Sequence, residues 1–236
     1  MNYGEIVQLG RHRLMCGDAT KYEDIEQLLG GERVNLVLTD PPYGMKCQHK
    51  DGRIGSTYNN GFMSKYTPPR AYPQLIGDTS SDTARKHYSI VRVLTNRLII
   101  WGGQYFADFL PVSGGWLFWD KQTAATNFSA GELAWRSFGK QVKKYSHKWN
   151  GCVRAGNRRL NLSNRVHPTQ KPVELHMQIL EDFTEPGDVI LDCFGGSGTT
   201  LIAAHLTGRT CFMMEISSEY CDIIENRYNE LADCPA

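Results

Sequence analysis

No stretch of the 236 residues is apolar for long enough to cross a bilayer. The longest runs, such as Leu98-Ile99-Ile100-Trp101, fall far short of the roughly 20 residues that a spanning helix needs. The opening Met1-Asn2-Tyr3-Gly4-Glu5 lacks a basic segment followed by an apolar one, so no secretory signal is expected. No two of the seven cysteines form a Cys-x-x-Cys pair, and their number is odd. Neither a disulfide framework nor a zinc or other metal site is supported, and reduced thiols in a cytosol are the plain reading. No sign of charge dominates: 26 basic side chains face 25 acidic ones, which excludes a uniformly basic protein but leaves local patches open. Disorder is excluded as well, because 41% of the residues are hydrophobic and 11% aromatic. The 23 glycines show no three-residue period. What remains is a globular chain long enough to close a substantial core.

Strand and helix signals alternate along it. Arg13–Gly17 reads as a strand ending before Asp18, and Tyr22–Leu29 as a helix with Leu28 and Leu29 on its buried side. Val34–Thr39 is a β-branched and aliphatic strand, stopped by Asp40-Pro41-Pro42 because two prolines cannot continue a ladder. No period is visible from Gly44 to Ser81, and a loop of that length is expected to be mobile or functional. Beyond it come a helix over Asp82–Asn96 and strands at Arg97–Trp101, Trp116–Trp119 and Glu132–Phe138. Pro172 opens a helix to Phe183, as proline's fixed φ allows in a first turn. Strands over Val189–Phe194 and Thr210–Ile216 and helices over Thr199–Leu206 and Ser218–Leu231 complete the chain. Such alternation implies a parallel sheet with helices on both faces.

Three segments carry chemistry. Asp192, the turn Gly195-Gly196-Ser197-Gly198, the following helix and Glu215 compose one βαβ unit, in which ligands bind beyond the carboxyl ends of the strands. Glu215 stands where a carboxylate accepts hydrogen bonds from ribose hydroxyls, and the turn spells neither a P-loop nor G-x-G-x-x-G. Asp40-Pro41-Pro42-Tyr43 offers two fixed acceptors, the carboxylate and the Pro41 carbonyl, beside a flat ring. That set suits an exocyclic amine on a stacked base, whereas a plain turn would pair proline with glycine or asparagine. Finally, Leu133–Val173 contains no Asp or Glu but ten Lys or Arg. Within it Lys143, Lys144, Lys148, Arg154, Arg158 and Arg159 are candidates for phosphate neutralisation, and Tyr145, Trp149, Asn150 and Asn157 for base contacts. The competing reading is a solvated basic face.

LTDPPYG at 38–44, HPTQKP at 167–172 and DCFGGSGTT at 192–200 together resemble the β-group of S-adenosylmethionine-dependent DNA amino-methyltransferases. HRLMCGDAT at 12–20 and RLIIWGGQYF at 97–106 add to the likeness, which covers most of the chain. The resemblance implies an α/β, Rossmann-like methyltransferase fold with a mostly parallel seven-stranded sheet, one strand antiparallel, and a circularly permuted motif order. It implies one catalytic domain over 1–236, with a mobile loop at 44–81 and a basic target-recognition segment at 137–166. Asp40, Pro41, Pro42 and Tyr43 match the catalytic motif. Asp18 and Ala19 match the segment reading the cofactor's adenine; Glu215 and Ile216 match the strand end on its ribose. Asp40, Asp192, Phe194, Gly196, Ser197, Gly198 and Thr199 match the remainder of the cofactor site. Thr169, Gln170 and Lys171 match the segment near the methionine carboxylate, where an ammonium is a suitable point-charge partner.

The implied activity is methylation of adenine N6 in a short site of double-stranded DNA, by base flipping and direct transfer, in the cytoplasm of a bacterial cell and encoded by the cell or a phage. No membrane partner is implied. An amine needs no covalent intermediate, which agrees with the absence of a Pro-Cys dipeptide. Cytosine-N4 methylation and a catalytically silent DNA-binding homologue are the alternatives. The recognition segment is short, so the site is expected to be short or a second subunit to help, as in a homodimer.

Overall fold

The computed structural model describes residues 1–45, 76–123, 129–150, 153–154 and 170–232. Among the described residues the strands are β1 (Ile6–Leu9), β2 (His12–Cys16), β3 (Leu36–Thr39), β4 (Leu98–Trp101), β5 (Gly115–Asp120), β6 (Gly131–Arg136), β7 (Val142–Ser146), β8 (Trp149–Asn150), β9 (Val153–Arg154), β10 (Val189–Asp192) and β11 (Thr210–Glu215). The helices are α1 (Tyr22–Leu29), α2 (Asp82–Leu94), α3 (Val173–Phe183), α4 (Thr199–Leu206) and α5 (Ser218–Ala232).

Nine strands form one sheet in the order β1-β2-β11-β10-β3-β4-β6-β5-β7, and β8 and β9 form a separate hairpin. Where seven strands were expected, nine are found. The seven from β2 to β5 carry one antiparallel member, β6, as the resemblance implied. The two extra strands lie at the edges: β1 turns back on β2 through Gly10, and β7 lies parallel to β5. Neither edge strand shows the continuous burial of the central ones, which is why no element is read at Ile6–Leu9 and Val142–Ser146 reads as part of the basic segment.

Strands β3, β4 and β10 are buried along most of their length because helices cover both faces. On one face Leu36, Leu38 and Ile190 pack with Leu175, Ile179, Leu201 and Ile224 of α3, α4 and α5. On the other, Val37, Ile100 and Leu191 pack with Ile25, Leu28 and Val91 of α1 and α2. Pro172 stands just outside α3 with φ −65° and ψ 139°, so the helix begins one residue later than the proline suggested. The chain leaves the sheet centre in opposite directions, through β10 to β11 and through β3 to β4. That makes the β10–β3 junction the switch point, where a crevice opens beyond the carboxyl ends of the strands.

Candidate active site

A cavity of about 330 Å³ lies at this switch point. Its wall contains Asp40–Tyr43 from the end of β3, Asp192–Gly196 from the end of β10, Glu215 and Ile216 from the end of β11, and Gly17–Thr20 from the end of β2. The predicted catalytic turn and the glycine-rich loop therefore face one space. Ala19, Gln170, Lys171, Phe194, Ser197 and Thr199 line it too. Gly198 does not; it closes the turn into α4. Thr169, Asn157, Arg158, Arg159 and most of the 44–81 loop lie outside the described residues, as does the side chain of Arg154.

Glu215 accepts hydrogen bonds from the Gly196 amide at 2.8 Å and the Ser217 amide at 3.0 Å, so it ties the glycine loop to β11. Burial raises its pKa. Asp18 Oδ1 accepts from the Thr20 amide and hydroxyl, and Asp24 holds the Asp18 amide. The buried His87 of α2 contacts the Ala19 carbonyl through Nδ1 and sets its ring edge against Phe194. Nothing local in the sequence marked His87; an unexplained histidine on the buried side of α2 was the only trace.

Two expectations change. Asp192 is committed to the scaffold: Oδ1 accepts from Thr39 Oγ1 at 2.9 Å and Oδ2 from Thr200 Oγ1 at 2.6 Å. It bridges β3, β10 and α4, and burial pushes its pKa up to about 7. Lys171, expected beside a ligand carboxylate, instead directs its ammonium at Asp40 Oδ2, with Glu132 Oε2 at 3.4 Å on another side. Only 5% of the Lys171 side chain is exposed, and burial alone would lower its pKa. Asp40 and Glu132 outweigh that and raise it, so the ammonium is retained.

Tyr43 donates from its hydroxyl to Asp40 Oδ1 at 2.5 Å. Burial first, then Asp40 and Glu132, push its phenol well above the ordinary range, which keeps it a donor. Its ring stacks on Tyr105 with centroids 5.1 Å apart. Tyr105 does not line the cavity, so it backs Tyr43 from outside. Gly102 brings the backbone of β4's end against the same ring: a Cβ there would fall 2.1 Å from Tyr43 Cε1. Past the turn, Asp78 accepts hydrogen bonds from the Gly44 and Met45 amides.

The basic segment is less free than its sequence implied. Lys143 pairs with Asp182 at 2.5 Å and Lys144 with Asp120 at 2.8 Å. Tyr145 is buried with its hydroxyl on Asp182, and Trp149 is in the core, so neither is available to a base. Lys148 is exposed.

Residues 113–226 match a family model described as DNA methylase of the N6/N4 type. The type II methyltransferase M.HinfI of Haemophilus influenzae is 24% identical over 251 residues, covering 91% of this chain and 69% of its own. The putative methylase YubD of Escherichia coli strain K12 is 44% identical over 57 residues, which is 24% of this chain and 25% of its own. The solved PvuII cytosine-N4-specific DNA methyltransferase superposes with a TM-score of 0.62 at 16% identity, covering 98% of this chain and 94% of its own. The complex of M1.HpyAVI with S-adenosylmethionine gives 0.54 at 23% identity, covering 91% and 98%. At such identities the likeness to solved structures speaks for the fold.

Proposed function

We propose that the chain is a DNA methylase of the N6/N4 type, like the family model and the relative it matches, and that it methylates the N6 amine of adenine in double-stranded DNA with S-adenosylmethionine as donor. The observation that carries the reading is the shared cavity, walled by Asp40–Tyr43 on one side and Phe194–Ser197 on the other. A donor and an amine held by those two walls would lie on one rim, as direct transfer requires.

The residues present fit that donor. Buried Glu215 suits a vicinal diol, Asp18 an exocyclic amine, and the start of α4, which no side chain caps, a carboxylate. Phe194 and Ile216 offer apolar faces between them. Bound there, S-adenosylmethionine supplies a methyl group on a cationic sulfur.

The protein's part is alignment and electrostatics. The target base leaves the duplex, at roughly a few kcal/mol, and stacks on the cavity face of Tyr43. Its amine donates to Asp40 and to the Pro41 carbonyl. For that, the Tyr43 hydroxyl gives up its bond to Asp40 Oδ1. The two acceptors would draw the nitrogen lone pair out of ring conjugation and hold it toward the methyl group that the bound donor would supply. The amine proton departs to solvent afterwards, so Asp40 need not be a strong base. Positioning on DNA falls to Lys148 and to the remaining basic residues of 137–166, including Arg154, Arg158 and Arg159, since Lys143 and Lys144 would have to exchange partners first.

The test is to incubate the full chain with methyl-labelled S-adenosylmethionine and unmethylated DNA of mixed sequence, then to identify the labelled nucleoside. N6-methyladenine is expected. N4-methylcytosine would move the reading to the other amine with the same chemistry, and cofactor binding without any label on DNA would mark a silent homologue.

A further inference from the structure

Asp40 is one member of a partly buried chain of alternating charge centred on the buried Lys171. Lys171 holds it on one side; Glu132 holds Lys171 at 3.4 Å; Lys121 closes the chain on Glu132 at 2.5 Å. Lys171 precedes α3, and the other charged groups with the Trp101 ring come off neighbouring strands in the order β3, β4, β6, β5. Asp40 follows β3, and Trp101 ends β4 with its ring 5.0 Å below the Lys171 ammonium. Glu132 stands near the start of β6 and Lys121 just after β5. The antiparallel direction of β6 is what brings its beginning to the rim where the parallel strands end. Lys171 itself is anchored to the cofactor side, because Thr199 Oγ1 at the start of α4 donates to its carbonyl.

We propose that Lys171 is the positioning residue for Asp40, and that Glu132 balances its charge so that the amine acceptor stays fixed beside a cationic donor. The physical need is specific. A carboxylate free to rotate would lose the alignment that makes it useful. A lone buried ammonium would hold it but would repel a cationic donor bound in the same cavity. Asp40 and Lys171 already cancel; Glu132 draws the Lys171 field from the side away from Asp40, and Lys121 keeps the four side chains at zero net charge. Among the described residues Glu132 serves no other partner, since both its oxygens go to lysines, and 28% of its side chain is exposed at a strand start.

This inference rests on Asp40 as the amine acceptor, and the experiment separates the two. Lys171→Met, Lys171→Arg, Glu132→Gln and Asp40→Ala would be compared with the parent for S-adenosylmethionine affinity by calorimetry and for single-turnover methyl transfer to mixed-sequence DNA. Expected for Lys171→Met is cofactor affinity within about threefold and transfer lowered by about a hundredfold, with transfer recovered to within about tenfold of the parent in Lys171→Arg, which keeps a cation for Asp40. Expected for Glu132→Gln is a smaller loss of transfer, again with cofactor affinity kept. Parent-like transfer in Lys171→Met, an equal loss in Lys171→Arg, or loss of cofactor affinity in Lys171→Met would overturn the proposal, the last returning Lys171 to the ligand carboxylate. Should Lys171→Met fail to fold, Glu132→Gln decides, and parent-like transfer or lost cofactor affinity there is equally fatal. Full activity in Asp40→Ala would instead remove the reading on which the proposal stands.

Discussion

Single carboxylates at this rim do different work according to what surrounds them. Asp192 and Asp40 both end parallel strands, yet one is sealed by two threonine hydroxyls and the other lines the cavity between Tyr43 and Lys171. The sequence shows two similar Asp-ending strands, and only the fold separates scaffold from clamp. Asp192 leaves a thermodynamic trace. Its folded pKa of about 7 lies above its ordinary 3.8, so the fold favours the protonated form. That contribution is complete below pH 3.8 and fades as pH rises through 7. Asp192→Asn, which keeps an acceptor for Thr39, is expected to remove this decline. Denaturant midpoints measured at pH 4.5 and 7.5 should rise more with pH in the variant than in the parent; parallel lines would contradict the assignment. Glu132 was missed in the sequence for a different reason. Its partners come from positions 121 and 171, and its one local sign is that it is the last acid before the acid-free run.

Among helices and strands, legibility followed burial. Helices α1 and α4 fall where sequence periodicity and flanking glycines put them, Tyr22–Leu29 and Thr199–Leu206, because an amphipathic or wholly apolar run between turn residues has few other solutions. Edge strands β1 and β7 were not legible, since a short strand with one partner carries no alternating signal. The ion pairs of β7 were not legible either, because Asp120 and Asp182, which neutralise Lys144 and Lys143, lie outside the acid-free run. The turn after β4 also does more than connect. Gly102 has φ 71° and its Cα abuts the Tyr43 ring, while Tyr105 three residues on stacks against that ring. Gly102→Ala would combine left-handed strain with a collision, costing about 1–3 kcal/mol or displacing Tyr43. The expected outcome is DNA methylation at least tenfold slower with cofactor affinity unchanged. Parent-like turnover would show that the ring's position is not set by this turn.

For the fold in its entirety, the buried histidines set the acid limit of stability. Burial lowers His12 to about 3, His87 to about 4 and His176 to about 3, against an ordinary value of 6.5. Depressed values mean stability that is full above pH 6.5 and lost as pH falls toward the folded values. Each histidine steepens the folding equilibrium by about tenfold per pH unit in that window. Asp192 and Glu215 run the other way, but three outweigh two, so stability is expected to fall between pH 6.5 and 4. The thermal midpoint should drop across that range, and a flat midpoint would contradict the burial of these rings. The same packing holds the two halves of the site together: His176 of α3 meets Thr200 of α4, and Thr200 meets Asp192, which in turn holds Thr39 before Asp40.

In the function we propose, these halves divide the chemistry, with the Asp40 turn receiving the amine while the Phe194–Thr199 turn and Glu215 hold the donor. Single-turnover transfer of labelled methyl to DNA, paired with cofactor binding, probes that division in Asp40→Ala. Donor affinity should stay within about threefold of the parent while transfer drops by about a thousandfold or more. Transfer at the parent's rate, or donor binding lost along with transfer, would refute it.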